Sequence, residues 1–296
     1  MLMKAATVLL LFAASAIVSG NIGYRWGYGK ADGPHTWRDR CIHGARQSPI
    51  DFKASNLQIV NLPRIDFFFY KKPGTVNVTH DDKSIRVDGF SDWGEYQPYI
   101  TGGGLAKYKL AQFHFHWAQN QLNGSEHAVG SLQYPAELHL VHLKDGYTME
   151  EAVKHPDGIA VLGVFLAVEN DGRALSNLDS FLRDLDETRM HTRAQNFILN
   201  ALLPANTEAF YRYEGSLTTP GCDEAVIWTI LADPVSITQD QLESFRRLRN
   251  SAEIEHNARP MQALNRRFIK FRPSTALNSF ILNTPNVKDI ISSPFL

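Results

Sequence analysis

Between residues 112 and 117 the chain alternates polar and apolar side chains without a break. In an extended strand, neighbours two apart share a face. Phe113, Phe115 and Trp117 therefore fall on one side, and Gln112, His114 and His116 on the other. The same period returns at "AELHLVHL" (136–143), where Glu137, His139 and Val141 share a face opposite Leu138, Leu140 and His142. Further short β-rich runs are "IDFFFY", "TVNVTH", "SIRVDGF", "IAVLGVFLAV" and "AVIWTIL". Gly, Pro and Asn punctuate them at "KKPG", "TGGG" and "LNGSE". Helical periodicity is sparser; 176–185 and 239–249 are the predicted helices, the second with a cap supplied from 236–241. The pattern predicts one mainly β domain (α+β), built on a large, mostly antiparallel sheet with peripheral helices.

Composition narrows the class without naming a function. The 296 residues suffice for one large core, and 44% hydrophobic with 21% charged residues describes an ordinary globular chain. Thirty basic and 31 acidic residues leave a net charge of -1, so nothing points to nucleic acid or to a charged membrane surface. No repeat or low-complexity linker interrupts the central region, and no feature specifies an oligomeric state.

The first 20 residues differ from the rest. A short, weakly positive start precedes an apolar run at 5–18 and the small residues Ser19 and Gly20. This reads as a secretory signal peptide over 1–20, which implies a secreted, extracellular protein. The alternative is a membrane anchor, but the apolar run is shorter than the roughly 20 residues a bilayer requires. The mature chain is thus expected to lack a membrane span. The domain is assigned to 21–272 and a C-terminal tail to 273–296; the closing "DIISSPFL" is too short an apolar end for a GPI signal. Cys41 and Cys222 are the two cysteines. In a secreted chain an even count suggests one disulfide, and two buried thiols are the alternative. Spacing does not decide between them.

His114, His116 and His139 form the candidate metal site. Pairing the two strands antiparallel brings all three imidazoles to one face. Three neutral nitrogen ligands with an open fourth position suit a catalytic zinc ion, whereas structural sites favour Cys. Gln112 and Glu137 lie on the same face and can accept from the imidazole nitrogens that do not bind metal. Taken singly, each histidine could equally be a hydrogen-bonded core or surface residue.

Several motifs in order resemble the α-class carbonic anhydrases of the secreted, disulfide-containing type. They are "WGYG" (26–29), "RQSPID" (46–51), "QFHFHW" (112–117), "GSEH" (124–127), "AELHLVH" (136–142), "AVLGVFL" (160–166), "GSLTTPGC" (215–222), "VIWTI" (226–230) and "NARP" (257–260). The resemblance covers roughly 24–272 and implies a single domain around a central twisted, mostly antiparallel sheet of about ten strands. It implies zinc on His114, His116 and His139, and hydration of CO2 to bicarbonate and a proton by zinc-bound hydroxide. It implies that Thr218 orients the hydroxide and relays its own proton to Glu126, while Thr219 and Tyr28 hold the water network. Val141, Val161, Leu217 and Trp228 would line the CO2 pocket, with Asn77 on its polar side. It also implies a Cys41–Cys222 bridge.

An interaction protein built on the same scaffold is the rival reading, but all three histidines, Thr218 and Glu126 are intact. Two sequons occur, at Asn77 and Asn123. A glycan on Asn77 would block the site, so Asn123 is the expected acceptor. His127 is expected to be structural, near Tyr213, and His80 to face away from the site. Two departures from the family stand out. Fast members carry a proton-shuttling histidine three residues before the matching asparagine; here that position is Gly74, which predicts slow or buffer-dependent proton release. The segment 88–104 is also longer than usual.

Overall fold

The computed structural model describes residues 26–80, 83–184, 191–247 and 256–277. Residues 1–20, expected to be a signal peptide, and residues 278–296 of the expected tail lie outside them. Fifteen strands are found among the described residues. In chain order they are β1 (Asp51–Phe52), β2 (Leu57–Ile59), β3 (Ile65–Phe68), β4 (Gly74–His80), β5 (Ile85–Asp88), β6 (Tyr99–Gly102), β7 (Leu105–Trp117), β8 (Ala128–Val129), β9 (Ala136–Lys144), β10 (Ile159–Val168), β11 (His191–Phe197), β12 (Phe210–Gly215), β13 (Val226–Leu231), β14 (Val235–Ile237) and β15 (Ile269–Arg272). Thirteen share one sheet, whose continuous path runs β11-β4-β5-β7-β9-β10-β13-β12-β15-β2. That path has the ten strands expected. β3, β6 and β14 add to it at the side, and β1 pairs with β8 separately. Most pairings are antiparallel; β10 runs parallel to β13 and β14, and β15 to β2.

The alternation seen in sequence sorts the two faces. Val87, Phe113, Phe115, Leu138, Leu140, Leu162 and Val164 point into the larger core, where Leu178, Leu182 and Phe245 cover them. Val141, Val161, Phe165, Tyr213 and Trp228 point the other way, into a second cluster with Phe52 and Ile230. Strand β10 is buried on both faces, which is why it reads as a continuous apolar run.

α-Helix stands within both stretches where periodicity predicts it. The 239–249 prediction corresponds to Gln239–Arg247, whose buried residues are Gln241, Leu242, Ser244 and Phe245. Thr238 caps it: its side-chain oxygen accepts from the Gln241 amide at 3.2 Å. The 176–185 prediction starts too early. A tight 3-10 turn at Arg173–Leu175 comes first, the Ser176 hydroxyl donates back to Arg173 O, and α-helix begins only at Asp179. The long 88–104 segment forms a one-sided strap, with 3-10 helix at Phe90–Tyr96 leading into β6.

Candidate metal centre

The site is a set of parallel rows across the sheet. Antiparallel partners share a face, so register alone determines which side chains meet. One row runs Arg193, Asn77, then Asp88 across β11, β4 and β5. On β7, β9, β10 and β13 the matching row is Gln112, Val141, Val161, Trp228. Two residues along, Arg86 pairs with His114, His114 with His139, and His139 with Gly163. A third row joins His116, Glu137 and Phe165. A bulge in β7 between Leu110 and Gln112 sets this register. Gly163 leaves room for its neighbours where it stands. A β-carbon there would collide with Ile230 Cδ1 and crowd Glu137 Oε1, 3.2 Å away.

The three imidazoles converge. Ring centroids are 5.0 Å apart for His114 and His116, 5.3 Å for His114 and His139, and 4.5 Å for His116 and His139. One nitrogen of each ring is held by the protein. His114 Nδ1 lies 3.0 Å from Gln112 Oε1, His116 Nδ1 2.8 Å from Asn257 O, and His139 Nε2 2.7 Å from Glu137 Oε1. Each acceptor fixes the tautomer and leaves the other nitrogen's lone pair free. One ligand atom from each ring fits within a 4.8 Å group. His116 Nε2 is buried with no hydrogen-bond partner. An orphaned buried nitrogen costs on the order of 1–3 kcal/mol, and a metal ion shared with one nitrogen from each of the other two rings would satisfy it.

Electrostatics favour the neutral, ligating form of His114 and His116. Burial, and then the neighbouring His116 and His139, push the His114 imidazole well below its usual range; burial also lowers His116. Burial by itself would raise the Glu137 carboxyl, but His127 and His139 pull it well below the carboxylate range. Glu137 Oε1 also lies 2.7 Å from His127 Nδ1, and His127 Nε2 lies 2.7 Å from the Tyr213 hydroxyl. His127 therefore occupies the structural position expected of it.

Glu126 stands behind the cage, with Oε1 3.6 Å from His116 Nδ1 and Oε2 3.9 Å from His139 Nδ1. The Arg259 amide donates to Oε1 at 2.8 Å, while Oε2 is buried and unpartnered. Thr218 is buried at 5% exposure, and no hydrogen bond joins it to Glu126 among the described residues. Thr218 and Thr219 ride on the loop between β12 and β13, which the Cys41–Cys222 disulfide ties to the short helix Arg40–His43. Tyr28 packs beside that bridge with Trp37. Trp228 donates to Ser216 O at 3.0 Å and holds its ring 4.8 Å from His139. Leu217 packs against the same cluster as Val141, Val161 and Trp228. Asn77 donates to Asp88 Oδ1 at 3.1 Å, and Asn123 lies exposed in a turn.

Sequence reasoning missed two residues. Asn257 holds His116 through its carbonyl, and its side chain stitches Trp117 N to Phe115 O and Lys83 O. Arg259 holds Glu126. Both lie in "NARP", whose signal was a conspicuous motif without an assigned role. Gly74 also has a neighbour that the sequence did not reveal. The side-chain space there is taken by the Trp93 indole, and a β-carbon would collide with it.

A large mixed sheet bearing three converging imidazoles beside an apolar wall defines a β-sheet protein with a site that could hold a metal ion. The family model for eukaryotic-type carbonic anhydrase matches residues 32–273. A Caenorhabditis elegans protein named "Putative carbonic anhydrase 5" is 48% identical over 272 residues, covering 90% of this chain and 88% of that one. "Putative carbonic anhydrase 3" of the same organism is 41% identical, covering 82% and 96%. Carbonic anhydrase 7 of Mus musculus is 36% identical, covering 83% and 96%. The chain belongs to the eukaryotic-type carbonic anhydrase family, whose members are lyases that hydrate CO2.

Proposed function

We propose that this enzyme hydrates CO2 reversibly at a zinc ion held by His114, His116 and His139. The observation that carries the reading is the buried, partnerless His116 Nε2 within reach of two other imidazoles. Three neutral ligands leave the metal's charge undiminished, and neutral imidazole suits zinc. When bound, zinc supplies a Lewis acid that makes a hydroxide nucleophile available at neutral pH.

The chain's own groups do the rest. Gln112, the Asn257 carbonyl and Glu137 hold the rings from behind. The Thr218 hydroxyl orients the attacking oxygen and sends its proton toward Glu126 Oε2, the oxygen left without a partner. Tyr28 and Thr219 support the water network. Val141, Val161, Leu217 and Trp228 hold the apolar CO2 clear of water, with Asn77 opposite. Bicarbonate then leaves, and a proton must reach solvent. Gly74 offers no imidazole and Trp93 covers it, so the proton passes to soluble buffer and turnover depends on buffer concentration.

We place the mature chain outside the cell. The apolar segment before residue 20 and the Cys41–Cys222 bond support this. No helix among the described residues is long and apolar enough to cross a membrane. Asn123 is exposed and suits a glycan; the Asn77 amide is engaged by Asp88.

Metal analysis with stopped-flow CO2 hydration tests the proposal. One zinc per chain, loss of activity with chelator and recovery with zinc are expected. His116→Ala should lose both metal and hydration; a His116→Ala protein that hydrates CO2 at the wild-type rate would overturn it.

A further inference from the structure

Arg86 has no part in the chemistry above, yet it is the direct cross-strand partner of His114. Such partners share a face, with Cβ atoms about 5 Å apart. Strand β5 alternates Ile85, Arg86, Val87, Asp88; the two aliphatic residues are buried in the larger core, so Arg86 and Asp88 face the metal centre's side. A cation beside the His114 imidazole opposes both a metal ion and a protonated ring. The species it favours in that place is an anion.

The guanidinium is held but not consumed. Arg86 Nη2 lies 3.2 Å from Asp88 Oδ2, and the Arg86 side chain remains 53% exposed. Asp88 Oδ1 accepts from Asn77 Nδ2. One carboxylate thus steadies both the arginine and the asparagine and leaves most guanidinium donors facing solvent. Across Asn77 stands Arg193. It lines a pocket of about 350 Å³ with Lys72, Asn77, Asp92 and Trp93. Among the charged residues lining that pocket, Lys72 and Arg193 outnumber Asp92. The opposite wall, Val141, Val161 and Trp228, carries no charge. The cleft is divided between a side suited to a neutral gas and a side suited to an anion.

We propose that Arg86 is an anion-positioning residue: it draws bicarbonate and other small monovalent anions to the three-histidine centre, and Arg193 extends that path outward. The inference rests on the metal reading of the cage.

The test uses the full protein loaded with Co(II), whose visible spectrum reports ligand binding directly. Thiocyanate is titrated at low ionic strength and again in about 0.5 M sodium sulfate, where the Debye length falls to a few ångströms. Arg86→Gln should bind thiocyanate about 3–10-fold more weakly than wild type at low salt, with the gap closing at high salt. Arg86→Lys should recover most of the loss, because it keeps the charge. Imidazole, a neutral ligand, should bind all three proteins alike. Equal thiocyanate affinity in wild type and Arg86→Gln overturns this inference alone, as does an Arg86→Lys protein no better than Arg86→Gln. Failure of Co(II) to bind the wild-type cage overturns the metal reading and this inference with it.

Discussion

Trp93 packs onto Gly74 so closely that residue 74 has no room for a β-carbon, and the indole N–H is fixed by Thr75 O at 2.8 Å. The glycine is the condition for the strap to lie down on β4. The strap in turn puts an indole, which carries no titratable proton near neutrality, at the position where faster relatives are expected to hold an imidazole.

This contact changes what a substitution can achieve. Gly74→His alone should overpack the site and cost about 1–3 kcal/mol, without relieving the dependence of kcat on imidazole buffer. Gly74→His with Trp93→Ala should recover stability relative to Gly74→His and raise kcat at low buffer. Thermal denaturation and stopped-flow hydration across an imidazole series check both. A stable Gly74→His single variant with buffer-independent turnover would show that Trp93 yields easily.

Thr218→Val keeps the shape of the buried side chain and removes the hydroxyl. Hydration should fall on the order of 10²-fold, as for loss of one preorganised hydrogen-bond partner, with folding stability within about 1 kcal/mol. Comparing kcat/KM with the urea midpoint separates the two effects. A near-normal rate would remove Thr218 and Glu126 from the mechanism.

His142 lies on the opposite face of β9 from the cage. It is wedged between the Tyr70 hydroxyl at 2.6 Å and Ala160 O at 3.2 Å, and burial lowers its pKa to about 4. The unfolded chain binds this proton below about pH 6.5, whereas the folded chain resists it until about pH 4. Stability should therefore be intact above pH 6.5 and fall as pH drops toward 4, by on the order of 3 kcal/mol from this residue. The lowered His114 and His116 act in the same direction in metal-free protein. Urea midpoints measured from pH 7 to 4 should decline less steeply in a Tyr70→Phe, His142→Leu double variant, which removes both polar partners together.

The Cys41–Cys222 bond closes a separation of 181 residues. In the chain-entropy model such a loop stabilises by about 4–5 kcal/mol. The bond also anchors the loop carrying Thr218 and Thr219. Cys41→Ser with Cys222→Ser should lower stability by up to that amount and reduce hydration more than metal content. Unreduced peptide mapping of secreted protein should find the cross-link; two alkylatable thiols would contradict it.

The sequence by itself determined a great deal. Two-residue periodicity assigned β7 and β9 and put His114 with His116 on one face, and His139 opposite His142, because strand geometry leaves a side chain only two directions; that His139 meets the other two was set by register. The same alternation separated the Phe113 and Phe115 core from the polar face. Periodicity could not locate the start of the helix at Asp179, because Ser176 bonds back to a local carbonyl instead of continuing a helical turn. Nor could it find Asn257 as the partner of His116, since that hydrogen bond spans 141 residues and joins elements not paired along the main sheet. The unpartnered Glu126 Oε2, the indole over Gly74 and the pairing of Arg86 with His114 are likewise consequences of register and of loops meeting in space. One-dimensional pattern specifies which way a side chain points; what stands opposite it is decided when distant strands are brought into register by the packing of the whole sheet.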